Sequence, residues 1–369
     1  MKPSLLFLEN TVPEYRVQFY QAIGERYNTT FFFTNLDQNH LGNLRELSKG
    51  GAATKVQFTC RELMEKAKEV DIVAVAADYR SIRSWVFLLY LRLIRKPTLI
   101  WNEVWWWPEH GFWRLSRLVR FFLLFLVTKF SGFFAVPGSL HREYLMKCGV
   151  AKERIWIVPY TGEHALTTTN VSIFDPKIAN WLKSDRRVLY LARVEKVKGC
   201  DLLLKAFGSE EELDACLLVA GSGSFLGACQ RLAKQLKLTR TYFSGRADSD
   251  LRSFLMENCS VYVLPSRHDA YPVSVMEAVS HHKPILVSNG VGSYPDVVHG
   301  NGLVFEHCNV EDLREKLETL LESDLDVLEF NSEKVAQQFT LDHSVDMMSQ
   351  AIQQTLSQGK REGRTASWT

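Results

Sequence analysis

Short, largely apolar runs separated by polar turns recur along the chain. In the first half they fall at residues 4–8, 31–33, 56–58, 71–76, 98–101, 133–136 and 155–159. In the second half they fall at 188–191, 216–220, 241–244, 260–264 and 284–288. Runs that do not alternate with polar residues read as strands buried on both faces of a parallel sheet. Between them lie stretches of helical period: 16–25, 61–69, 81–94, 141–148, 200–207, 251–258 and 273–281. Three more helices are predicted at 312–321, 333–340 and 344–356, whereas 34–51 and 166–186 read as polar loop and linker. Strand–helix alternation throughout predicts an α/β protein built from Rossmann-like, doubly wound parallel sheets.

Length turns one such sheet into two. A chain of 369 residues exceeds one ordinary core. The expected domains are 1–165 and 166–345, followed by a helix at 346–358 and a polar, disordered tail at 359–369. Apolar content of 46% and charged content of 23% are those of a folded globular protein. A net charge of +2 singles out no partner, and none of nucleic acid is expected. The seven cysteines form no C-x-x-C pair, which suits reduced thiols in a cytoplasmic compartment. The start, MKPSLLFLEN, is a short strand without the apolar core of a signal peptide. Apolar stretches 85–91 and 121–127 are shorter than the ~18 residues of a spanning helix.

Residues 80–130 are the exception to this even composition. They hold nine Lys or Arg against two acids, with Trp85, Trp105, Trp106, Trp107 and Trp113. Arg114, Arg117 and Arg120 share one face at helical spacing. Tryptophan beside arginine on an amphipathic helix predicts peripheral contact with an anionic membrane surface. The alternative is an ordinary helix with its apolar face in the core.

The densest chemistry lies in 265–288, PSRHDAYPVSVMEAVSHHKPILVS. Asp269 sits in a loop after a buried strand, and Glu277 stands eight residues on, within a helix. The helix's first turn offers free N–H groups at Val273 and Ser274, Pro272 having none. An anionic ligand flanked by hydroxyl-bearing groups fits such an edge. The stretch resembles the Glu-x7-Glu motif of the retaining, nucleotide-sugar-dependent GT-B glycosyltransferases of family 4. That resemblance implies that Asp269 meets the transferred sugar and Glu277 the ribose of a UDP- or GDP-sugar. Asp replaces the usual Glu, and Pro272 stands where Gly is common.

Other segments extend the likeness. Arg193 and Lys198 flank a loop after strand 188–191, where both charges can converge on a pyrophosphate. This resembles the family's GR-x4-KG segment, with Ala192 in place of Gly. Gly221-Ser222-Gly223 after the next strand approaches a dinucleotide fingerprint, and an NADP-dependent oxidoreductase is one alternative. It follows the domain's second strand, however, and no acid closes the next one. The resemblance puts Gly221 and Gly223 beneath the nucleotide and Gly245-Arg246 at the base. Glycines at 290 and 292 allow close backbone approach, with the Gly292 amide directed at the donor. Asp248-Ser249-Asp250 reads as a helix N-cap, and no metal site is expected. His282 fills a helix end where the family has Gly.

In the first half, strand ends nominate two loops, Glu9 to Arg16 and Asn102-Glu103-Val104. The family's glycine-rich acceptor loop and its histidine are missing here, and Glu103 is the group placed near a reacting hydroxyl. The likeness implies two domains facing a central cleft, with the last helix crossing back onto the first. It further implies a retaining, metal-independent transferase acting on a glycan or lipid-linked acceptor, without a cofactor. A catalytically weak binding subunit at the membrane is the other alternative.

Overall fold

The computed structural model describes residues 2–35, 41–50, 53–76, 82–103, 132–162, 175–208 and 213–365. Arg80, Val104 to Trp107 and the stretch from Trp113 to Val127 lie outside them. The chain divides into two units, one formed by 1–159 with 341–369 and one by 160–340. The first boundary thus falls six residues before the one read from the sequence, and the second five before.

The first unit holds β1 (Ser4–Glu9), β2 (Asn28–Phe33), β3 (Ala53–Val56), β4 (Ile72–Ala76), β5 (Thr98–Trp101), β6 (Phe133–Val136) and β7 (Ile155–Ile157). They pair in the order β3-β2-β1-β4-β5-β6-β7, every pair parallel. The second holds β8 (Arg187–Leu191), β9 (Cys216–Ala220), β10 (Thr241–Gly245), β11 (Val261–Leu264), β12 (Ile285–Ser288) and β13 (Gly302–Phe305). Their order is β10-β9-β8-β11-β12-β13, again all parallel. Both are Rossmann-like sheets. Each reverses strand order once, at β1/β4 and at β8/β11, and ligands of open α/β sheets bind outside the strand carboxyl ends at such points.

Central strands are buried on both faces, as their unbroken apolar runs require: Leu5 to Phe7, Val188 to Tyr190 and Val261 to Leu264 are all fully enclosed. In the second unit one apolar cluster ties β8, β9 and β11 to the helices Cys200–Phe207 and Val310–Glu322.

Several elements differ from the sequence reading. β3 ends at Val56 because Gln57 takes a left-handed φ of 58°. Leu41–Lys49 is a helix, not loop, although Leu47 is its only buried side chain. Within the expected linker, Pro176–Leu182 is a helix started by Asp175, whose carboxylate accepts from Lys177 N–H, with Pro176 at the first position. β13 was not expected, and Leu325–Ala336 is one helix beginning well before 333. The last helix runs from Leu341 to Thr365, so residues 359–365 of the tail expected to be disordered are helical, and 366–369 lie outside the described residues. It packs on β5, β6 and β7 of the first sheet, where Ser344 donates to the Pro159 carbonyl at 2.8 Å.

Candidate functional site

The loop after β8 and the loop after β11 leave adjacent strand ends at the switch point. Gly199 lets them touch: its φ is +73°, and a Cβ there would stand 1.9 Å from the Pro265 carbonyl oxygen. Arg267 then staples them. Its amide donates to the Val197 carbonyl at 2.7 Å. Its guanidinium takes both Asp201 oxygens at 2.8 and 2.7 Å and the Lys196 carbonyl at 2.6 Å. This bidentate pair holds the Arg267 guanidinium above its ordinary range.

The consequence is that Lys198 and Asp269, 71 residues apart in sequence, meet as an ion pair in which Lys198 Nζ donates to Asp269 Oδ2. Asp269 is fixed from its backbone as well. Its amide donates to the Gly290 carbonyl at 2.9 Å, and its carbonyl accepts from the Gly292 amide at 2.8 Å. Gly290 is required because a Cβ would lie 2.6 Å from the Arg267 carbonyl oxygen. The Gly292 amide, expected to face a donor, is therefore engaged by Asp269; this glycine positions the carboxylate instead.

Glu277 lies on the helix Val273–Ser280 and is 4% exposed. The helix opens on Pro272, with no side chain capping it. The amides of Val273 and Ser274 have no hydrogen-bond acceptor among the described residues. Ser274 is oriented by Tyr262, whose hydroxyl lies 2.7 Å from Ser274 Oγ and 3.2 Å from the Leu191 carbonyl. Burial pushes that phenol well above its usual range. Arg252 Nη1 stands 3.6 Å from Glu277 Oε1. It lies on the helix Ser249–Asn258, which Asp248 caps by accepting from Leu251 N–H at 2.9 Å, as read from the sequence. Arg252 itself was not singled out; its signal was only that it sits one turn into a capped helix near a strand end.

The glycine turn after β9 packs onto the loop after β8. Cβ atoms at Gly221 and Gly223 would stand 1.9 and 2.4 Å from the carbonyl oxygens of Ala192 and Val194. Val194 N–H donates to the Ser222 carbonyl, and Phe225 N–H donates to the Val194 carbonyl. Glu195 accepts from the amide and the hydroxyl of Ser224, which hold its carboxyl below the ordinary range; Arg193 adds to that. Arg193 and Arg246 are exposed and form no salt bridge among the described residues. The two flank the turn, Arg193 after β8 and Arg246 after β10, whose last residue Gly245 accepts from Gly221 N–H at 2.6 Å.

In the first unit a different constellation stands at the carboxyl ends of β1 and β5. Arg16, almost wholly buried, donates to Glu9 Oε1 at 2.7 Å and to Glu103 Oε1 at 2.6 Å. Its guanidinium lies 4.8 Å from the centre of the Trp101 ring. Desolvation raises the Glu9 carboxyl above its ordinary value, opposed by Arg16 and assisted by Glu103. The two loops nominated from the sequence are thus joined through Arg16. Glu103 remains half exposed, held from behind.

Residues 172–338 match the glycosyl transferases group 1 family. A Campylobacter jejuni N,N'-diacetylbacillosaminyl-diphospho-undecaprenol alpha-1,3-N-acetylgalactosaminyltransferase is 28% identical over 244 residues, 64% of this chain and 63% of its own length. An uncharacterized Haemophilus influenzae glycosyltransferase is 26% identical over 175 residues, 46% of this chain and 49% of its own length. The matched stretch thus spans under two thirds of either relative. The crystal structure of Anabaena Alr3699/HepE in complex with UDP and glucose superposes over 95% of this chain and 100% of its own, with a TM-score of 0.72 at 14% identity, a likeness of fold. The chain accordingly has the GT-B fold, and its residues 172–338 resemble the glycosyl transferases group 1 family.

Proposed function

We propose that this protein is a retaining glycosyltransferase, moving a sugar from a UDP- or GDP-sugar to a hydroxyl acceptor without metal or cofactor. One observation carries the reading. At the β8/β11 switch point, Lys198 and Asp269 meet beside the unengaged amides of Val273 and Ser274, on the helix that buries Glu277. A cation and a helix start suit a diphosphate. Carboxylates on either side suit the hydroxyls of a sugar (Asp269) and a ribose (Glu277). Arg193 is the second cation of the diphosphate site, and Gly221 and Gly223 let the loop beneath the nucleotide lie close. Arg246 faces the base.

As the anomeric bond breaks, negative charge grows on the leaving phosphate. Pre-placed cations and amides stabilise that charge more than the ground state, which is where rate is gained. The leaving phosphate then takes the acceptor hydroxyl proton on the same face of the sugar. Glu103, oriented by Arg16, meets the acceptor on the first unit. Support for a lipid-linked acceptor comes from the Campylobacter relative, whose name specifies a diphospho-undecaprenol substrate. An acceptor of that kind would hold the protein at the cytoplasmic face of a membrane. Among the described residues no helix is long and apolar enough to cross one.

The test is donor binding and hydrolysis across a panel of UDP- and GDP-sugars, on wild type and Lys198→Ala. Turnover lost in the variant supports the reading. No nucleotide binding and no turnover in either protein overturns it, and binding of NADP instead would favour an oxidoreductase.

A further inference from the structure

A cavity of about 400 Å³ opens in the first unit at the carboxyl ends of β1, β2 and β3, and the chemistry above makes no use of it. Leu8, Phe33, Phe58, Leu63, Met64 and Phe87 give it an apolar floor. Asn10, Thr34, Gln57, Cys60, Arg83 and Ser84 add polar groups to the lining. That volume, with an apolar lining and a few polar groups, matches a small-molecule site.

One wall of the cavity continues onto the surface. Val86 lines it and is also the first residue of a stripe, Val86, Leu89 and Leu93, exposed by 52, 60 and 73%. Steps of three and four keep the stripe on one face of the helix Ile82–Leu93. Exposed apolar patches of this kind mark contact surfaces. The helix, IRSWVFLLYLRL, contains Arg83 and Arg92 and no acidic residue, and Arg95 follows it. Arg83 lines the cavity and is exposed, without an acid partner among the described residues. A cavity with apolar side chains and a guanidinium in its lining, beside an exposed apolar face, fits an amphiphile with a hydrocarbon chain and a phosphate head.

We propose that this cavity holds the chain of a prenyl-phosphate lipid, with Arg83 on the phosphate and the Val86–Leu89–Leu93 face against the membrane that supplies it. The inference rests on the lipid-linked acceptor proposed above and names where the acceptor's lipid end sits. A free, hydrophilic glycan would leave the apolar floor without a partner.

Farnesyl diphosphate is the probe, with inorganic pyrophosphate as the head-only control. Cys60 lines the cavity and is exposed, and Cys308 is the other exposed thiol. Alkylation of both is followed by peptide mass spectrometry on the full chain. Farnesyl diphosphate is expected to slow Cys60 alkylation at least tenfold and leave Cys308 unchanged, with no effect from pyrophosphate. Arg83→Glu and Val86→Asp, both at exposed positions, are expected to weaken that protection about tenfold each. An unchanged Cys60 rate, equal slowing at Cys60 and Cys308, or protection indifferent to both substitutions overturns the proposal. Titrating the same preparations with UDP and GDP separates the two readings: nucleotide binding without Cys60 protection sinks the lipid site alone. Cys60 protection without nucleotide binding sinks the donor site alone.

Discussion

Replacing Gly199 with alanine attacks the point at which the loops carrying Lys198 and Asp269 touch. Two costs can be separated. The first is conformational, because φ of +73° is left-handed and a Cβ there costs ~1–2 kcal/mol. The second is steric and cannot be relieved by a rotamer, since the Cβ would sit 1.9 Å from the Pro265 carbonyl oxygen, backbone against backbone. Real Cβ contacts begin near 3.0 Å, so one loop must retreat by about 1.1 Å. Lys198 is the preceding residue, and Asp269 lies four residues beyond Pro265. The ion pair therefore opens by a comparable distance. Strain and lost pairing together give ~2–4 kcal/mol, or roughly 4–16 °C in melting temperature for a unit of this size. A displacement of ~1 Å at reacting groups costs on the order of 100-fold in rate. Gly245→Ala is the control, with φ of +79° and nothing within 4 Å of its Cβ, so it carries the conformational cost alone. Differential scanning calorimetry of both variants, with donor turnover of Gly199→Ala, decides the matter. A Gly199→Ala protein that melts no lower than Gly245→Ala and turns over donor at the wild-type rate would refute the argument that this contact sets the site.

Three further outcomes are expected. Lys198→Met keeps the aliphatic stem but leaves Asp269, 11% exposed, without its cation, so kcat should fall by about 10² to 10³ for any nucleotide sugar turned over; unchanged kcat contradicts the assigned role. Arg252→Met removes the cation beside Glu277, and Kd for UDP or GDP should rise about tenfold while Kd for inorganic pyrophosphate stays put; calorimetric titration reads both. Arg16→Leu leaves Glu9 buried without its counter-charge, at a cost of ~3–5 kcal/mol near neutral pH. Glu9 already has a folded pKa above its ordinary 4.5, so the folded state binds that proton more tightly than the unfolded one. Its contribution is greatest below pH 4.5 and is lost as pH rises through the folded value. The deficit of Arg16→Leu should therefore shrink on acidification, and urea melts at pH 4 and pH 7 that show equal deficits would rule this out.

Much of the frame was legible because strands enclosed on two faces must be apolar at every position, and Val261 to Leu264 or Leu5 to Phe7 admit no other reading. Elements with little to bury were not. Leu41–Lys49 encloses one leucine, and β13, GLVF, is an edge strand with only Phe305 fully covered. Pro176–Leu182 did carry a signal, since Asp175 before Pro176 is a helix start written in two letters, but the polar residues after it obscured it. The site shows the same divide. Lys198 and Asp269 were nominated separately, each after its own strand, and strand adjacency brought them together. Arg16 with Glu103, 87 residues apart, and Arg252 with Glu277 depend on which strands become neighbours, and local pattern does not report that. Gly292 was assigned the wrong partner because a free glycine amide and one bonded to Asp269 have the same sequence.

The substitution of Asp for Glu at 269 finds a physical reading in this geometry. A carboxylate one methylene shorter reaches less far, yet this one is anchored at both ends of its residue: its amide and carbonyl are bonded to Gly290 and Gly292, and its side chain meets Lys198. Little rotamer freedom is left to lose on binding, so reach is exchanged for preorganisation. The ion pair also makes the two groups interdependent. A diphosphate that draws Lys198 toward itself weakens the lysine's hold on Asp269 and releases that carboxylate to accept from a sugar hydroxyl. Under the proposed function donor binding and carboxylate release would then be one event, and a nucleoside diphosphate lacking the sugar would engage Lys198 while leaving Asp269 unsatisfied. It follows that in Asp269→Asn, whose amide no longer holds the lysine as a charge, UDP or GDP should bind more tightly than in wild type even as transfer is lost. Titration calorimetry gives the sign directly: weaker nucleotide binding in Asp269→Asn would show that the carboxylate supports the diphosphate site and does not compete with it for the same cation.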